Sequence, residues 1–177
     1  MLIKIGIPVI LFIILNLIIF IYNKLCIIKA FNIKFDESIK NITILQEKEI
    51  NLLTKLGKKL NEKTDEKILK DLPKIKNKNY SVFELHNKLT KFNKEINDLI
   101  IEGSTKLSNE EKSLLNLLKN NSLELKAVEQ YYNNEAEKYN KIRKKIKYLF
   151  IRIIKRLKKV ETFYFEKIVD FEILKEN

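Results

Sequence analysis

From Ile5 to Asn23 the chain runs for 19 residues without a charge, mostly Ile, Leu, Val and Phe. At about 1.5 Å per helical residue, that run nearly covers the ~30 Å hydrocarbon core of a bilayer. It predicts one transmembrane helix. Pro8 falls near the helix start, where a missing N–H costs little, and Asn16 is a single neutral polar group that a spanning helix tolerates. Beyond the run, Ile28, Phe31, Phe35, Ile39, Ile42, Leu45, Leu52, Leu56 and Leu60 recur mostly every three or four residues, the stripe of an amphipathic helix. No turn signal separates stripe from span, so a single helix is expected from about Leu2 to about Leu60. Residues 61–80, with Thr64, Asp65, Pro73 and several Lys and Asn, read as a linker with room for a short helix near 65–71.

Two capping boxes follow. In Ser81 with Glu84, and again in Ser108 with Glu111, the Ser oxygen can take the N3 amide while the Glu reaches back to the cap amide. Gly103 supplies a stop for the first of these helices. The second meets no Gly or Pro before the end of the chain and is expected to run on unbroken. The fold class is therefore all-α: residues 1–23 form an N-terminal transmembrane anchor that continues into an antiparallel bundle of three to four long helices over 24–177.

A cleaved signal peptide is the rival reading of the N-terminus, since Lys4 gives a minimal basic region. The apolar run is long for that purpose, no small-x-small pair follows it, and Lys24-Leu25 precede Cys26 where a lipoprotein signal needs small residues. An uncleaved anchor is expected. Lys24, Lys29, Lys34 and Lys40 outweigh Asp36 and Glu37 after the span, whereas only Lys4 precedes it, which favours a single-pass protein with a cytoplasmic body.

Charge changes the picture at one place. The net charge is +12, and residues 138–160 hold eleven Lys or Arg and no acidic residue. Eleven of the twelve net charges therefore lie in one segment. On a helical wheel Ile146, Leu149, Phe150, Ile153, Ile154, Leu157 and Val160 share an arc, opposed by Lys144, Lys145, Lys147, Arg152, Lys155, Arg156, Lys158 and Lys159; these eight and Arg143 are the candidate membrane-surface residues. Tyr148 and Ile151 fall off the arc. Such a basic amphipathic helix suits an anionic lipid headgroup surface, which the anchor keeps close. Packing of the apolar face on the bundle is the plainer alternative; a soluble polyanion would read the same charges, although no nucleic-acid module is visible.

Catalytic chemistry is sparse. The chain has one His, one Cys, three Gly and no Trp, with no phosphate loop, Ser-His-Asp set or Glu-x-x-His pair. No enzyme, metal site or cofactor is expected. His86 reads as a half-buried or surface residue, Cys26 as a small apolar filler or an acylation site, and Glu135 and Glu137 as surface carboxylates.

One further pattern stands out. Tyr132-Asn133 and Tyr139-Asn140 lie one heptad apart, Tyr22-Asn23 closes the span, and Tyr164-Phe165-Glu166 comes near the C-terminus. In order and spacing these elements resemble the LemA family of small bacterial membrane proteins, as a divergent member would: the family's Arg-rich, Pro-containing segment is matched only by Lys48–Leu53. The resemblance implies a helical bundle on a bacterial membrane anchor, with no enzymatic activity attached. Independently of it, Tyr132 and Tyr139 fall about 20° apart on an ideal helix and can enter one groove as packing residues with wet tips. Asn133 and Asn140 fall on the next stripe, where an interhelical hydrogen bond would fix register. Two roles are compatible with these features: a membrane-tethered scaffold that recruits a partner or touches lipid, and a homo-oligomeric coiled-coil device of the envelope or division type.

Overall fold

A computed structural model of the protein describes residues 2–62, 72–76, 79–101, 107–145 and 148–165. The order is α1 (Leu2–Asn61), α2 (Leu72–Lys76), α3 (Val82–Ile101), α4 (Asn109–Lys144) and α5 (Leu149–Ile154), with no strand among the described residues. The protein is all-α. Span and stripe form one 60-residue helix, because nothing between them interrupts the helical period. Both capping boxes close as their sequences require. Ser81 N donates to Glu84 Oε2 at 2.9 Å and Glu84 N to Ser81 Oγ at 3.3 Å; the corresponding distances for Ser108 and Glu111 are 2.6 and 3.3 Å. Gly103 and residues 65–71 lie outside the described residues. The short helix within the connection is α2, with Pro73 in its first turn, where no intrahelical N–H is needed.

Two compact units can be distinguished, one made of Met1–Glu37 with Tyr132–Glu161, the other of Ser38–Tyr131 with Thr162–Asn177. The second holds the larger core: Ile50, Leu53, Leu56 and Leu60 of α1 meet Leu72 and Ile75 of α2, Leu89 and Ile96 of α3, and Leu115 and Leu118 of α4. In it α4 runs antiparallel to α1, as shown by Asn121 Nδ2 bonding Leu45 O at 3.0 Å and Lys59 pairing with Glu110 at 2.7 Å. It is antiparallel to α3 as well. Consequently α3 runs in the same sense as α1, since the connection through α2 carries the chain back.

A polar seam crosses this core. Glu49, 1% exposed, accepts hydrogen bonds from Asn93, from Ser122 Oγ at 3.2 Å and from Asn121 Nδ2 at 3.4 Å, and Gln46 Nε2 donates to Val82 O at 2.9 Å. Burial pushes the Glu49 carboxyl above the usual carboxylate range, against those three hydrogen bonds. An apolar helix can slide along its neighbour at little cost, but a buried carboxylate with three donors fits one register. The seam thus gives α1, α3 and α4 a fixed alignment.

In the first unit, antiparallel α1 and α4 meet through aromatic rings. Phe35 lies 5.4 Å from Tyr132 and 5.6 Å from Tyr139, and Phe31 lies 5.8 Å from Tyr139, centroid to centroid. The tyrosines, 4% and 5% exposed, share one groove as their heptad spacing predicts. Glu135 departs from its surface reading: it is buried between Lys34 at 2.7 Å and Lys138 at 2.6 Å, and Lys138 and Lys34 hold its carboxyl below the usual range. Cys26 is exposed and fills no core.

Neighbouring leucines on α4 test the core assignment, because Leu118 is fully buried whereas Leu117 is 50% exposed. Leu118→Ala is expected to cost about 2–5 kcal/mol, and Leu117→Ala to stay within about 0.5 kcal/mol. Thermal unfolding of the detergent-solubilised protein, followed by circular dichroism, measures the difference.

Candidate membrane-surface site

Along the apolar run, twelve large side chains from Ile7 to Phe20 are exposed by 43–68%. The helix containing them is the one among the described residues that is long and apolar enough to cross a membrane, and its most apolar 18-residue window has no buried part. Asn16 satisfies itself within the helix, Nδ2 donating to Phe12 O at 2.8 Å. Lys24 is the first charge after the run. Its Nζ sits 5.1 Å from the Phe20 ring centroid and 5.5 Å from that of Tyr148.

The basic segment differs from its sequence reading. Helix α4 ends at Lys144, and Lys145 N bonds Ile142 O at 3.0 Å in a tighter turn. After a single turn of α5 the chain reverses again. Arg156 N donates to Ile153 O at 3.3 Å and Leu157 N to Arg152 O at 3.1 Å, the pair of bonds that closes a Schellman motif, and Arg156 takes φ +47°. No unbroken amphipathic helix spans 138–160. The wheel assumed one continuous helical phase, and two breaks reset it. Tyr148 and Ile151, which fell off the arc, are buried at 3% exposure each, while Leu149 and Ile153 of the arc are exposed by 41% and 66%; the side chains of Phe150 and Ile154 lie outside the described ones. Leu157 and Val160 are half-buried; Ile146 and Lys147 lie outside the described residues.

After the second turn the chain runs back along α4. Asn140 holds it with both amide atoms, Nδ2 donating to Val160 O at 2.9 Å and Oδ1 accepting from Val160 N at 3.0 Å, and Arg143 Nη1 donates to Leu157 O at 3.3 Å. Asn140 therefore satisfies backbone of the returning chain instead of bridging to another helix. The cations stay outside: Lys144, Lys145, Lys155, Arg156, Lys158 and Lys159 are exposed, and Arg143 and Arg152 are half-buried. The result is a basic turn on which the apolar Leu149 and Ile153 are exposed.

Of the remaining motif residues, Tyr22 and Asn23 are exposed at the end of the apolar run, Asn133 is half-buried, Tyr164 is exposed and Phe165 half-buried; Glu166 lies outside the described residues. Sequence reasoning missed the roles of Tyr148 and Asn140. The one available signal was the pair of residues that refused the wheel. No family model, curated protein or solved structure matches this chain.

The Asn140 bridge predicts a local effect. Asn140→Ala should release the chain around residue 160 while leaving α4 intact, seen as several-fold faster tryptic cleavage at Lys158 and Lys159 with unchanged helix content. An unchanged cleavage rate would contradict the assigned role.

Proposed function

We propose that this chain is a single-pass, membrane-anchored helical scaffold of a bacterial cell membrane, with its body on the cytoplasmic side and its basic turn resting on anionic lipid headgroups. The observation that supports the reading most is a matter of register. Tyr148 lies against Lys24, the residue that ends the apolar run, so α5 begins level with the point where a spanning α1 would leave the hydrocarbon.

Three features suit that position. Leu149 and Ile153, four residues apart and on one side of α5, are 41% and 66% exposed and can enter the headgroup boundary. The exposed Lys and Arg residues surround them, each contributing about 1 kcal/mol near an anionic leaflet. Arg156 occupies a left-handed position that glycine fills without cost, at a penalty on the order of 1 kcal/mol. A charge kept at a strained site is consistent with a surface role. The anchor makes the contact effectively intramolecular, so a weak headgroup affinity suffices. The LemA-like order of motifs belongs with this reading, which assigns the protein binding and positioning instead of catalysis.

The chain contains no Trp, so one introduced Trp is an unambiguous reporter. Ile153→Trp in the full chain, reconstituted with brominated lipid, should be quenched in anionic bilayers. Lys→Glu changes at Lys144, Lys155 and Lys159 together should remove about 3 kcal/mol of attraction and most of that quenching. Water-exposed, unquenched emission in both anionic and neutral bilayers would reject the proposal.

A further inference from the structure

His86, the one His of the chain, stands early on α3 with both ring nitrogens engaged. Nδ1 lies 2.8 Å from Glu129 Oε1 on α4, and Nε2 lies 2.9 Å from the carbonyl oxygen of Tyr164 in the segment that follows the basic turn. A carboxylate and a carbonyl are both acceptors. A neutral imidazole has a single N–H, so beside an ionised Glu129 it can serve one of them and turns a lone pair toward the other. Both contacts are satisfied only when the pair holds one more proton, on the imidazole or on the carboxyl. Either placement leaves Nε2–H donating to Tyr164.

Residues 161–165 have no regular secondary structure. Phe163 is buried, its ring 4.5 Å from Phe83 and 5.4 Å from His86, and Phe165 sets its ring edge-on to His86 at 5.7 Å; Tyr164 itself is 73% exposed. Phe163 and Phe165 anchor the segment through their rings, and the hydrogen bond to the Tyr164 carbonyl is the contact that depends on the proton.

We propose that residues 162–165 form a proton-operated latch, in which the proton shared by His86 and Glu129 fastens the Tyr164 carbonyl and its loss frees the segment and uncovers the Phe163 seat on α3. The groups facing the imidazole are Glu129 from α4, Glu49 from α1 and the Tyr164 carbonyl from the latch. On α3 itself Glu84 is engaged by Ser81, and Lys88 lies over the Tyr80 ring. Burial alone lowers the His86 pKa, but the Glu129 hydrogen bond and charge, the Tyr164 carbonyl and the Glu49 charge outweigh it and raise the pKa above its ordinary value. A raised pKa means that the latch contributes its full stability below about pH 6.5 and loses it as pH climbs through the raised value.

The test uses the full chain in detergent micelles, with His86 titrated by NMR and amide hydrogen exchange of 162–165 measured over the same pH range and corrected for intrinsic rates. Protection should fall about tenfold or more with the midpoint of the His86 titration, above pH 6.5. Glu129→Gln should move both midpoints down together, and Phe163→Ala should give the unprotected reference at every pH. If Glu129→Gln does not fold, the wild-type titration still decides. Protection that ignores the His86 titration, or a His86 midpoint below the ordinary value, would overturn the latch.

Discussion

An apolar helix surface over which none of the described residues is laid is the constraint from which the rest follows. Burying one large aliphatic or aromatic side chain is worth about 1.5–3 kcal/mol, so twelve left in water would cost on the order of 20 kcal/mol, more than a domain's whole stability. Among the described residues no element covers Ile7–Phe20, and the helix there is long and apolar enough to cross a membrane. Because α1 continues without a break into the amphipathic stripe, whatever fixes the apolar run also fixes the height of Lys24 and of the aromatic contacts that begin beyond it.

On the proposed reading, that height accounts for the organisation of the basic segment. Its charges would repel one another in a packed core, and its described cations are all at least partly exposed. The chain is held down by backbone instead: Asn140 grips residue 160 and Arg143 the Leu157 carbonyl, while the Schellman turn satisfies the last carbonyls of α5. Fastening through amides leaves the Lys side chains free to face a surface. Tyr148 and Ile151 give the turn its apolar footing, and Leu149 and Ile153 remain uncovered.

Local chemistry was legible in the sequence, and long-range chemistry was not. The capping boxes at Ser81 and Ser108 depend on residues three positions apart, and the extent of α1 on an uninterrupted period, so both could be read directly. The shared groove of Tyr132 and Tyr139 followed from a heptad. The breaks after Lys144 and at Arg156 carry no Gly or Pro; the returning chain is instead held on Asn140 by residues 20 positions apart, a pairing no local pattern announces. Likewise His86 looked inert because Glu129 stands 43 residues away, and Glu135 looked like a surface charge until Lys34, 101 residues distant, came to lie beside it.

The most direct test of the central claim is the fate of the apolar run in the mature protein. Membranes from expressing cells, washed with alkaline carbonate, should retain the chain, and peptide mapping of the retained protein should still find the apolar run Ile5–Asn23. Recovery in the soluble fraction of a chain lacking roughly its first two dozen residues, as signal cleavage would leave it, would contradict the account.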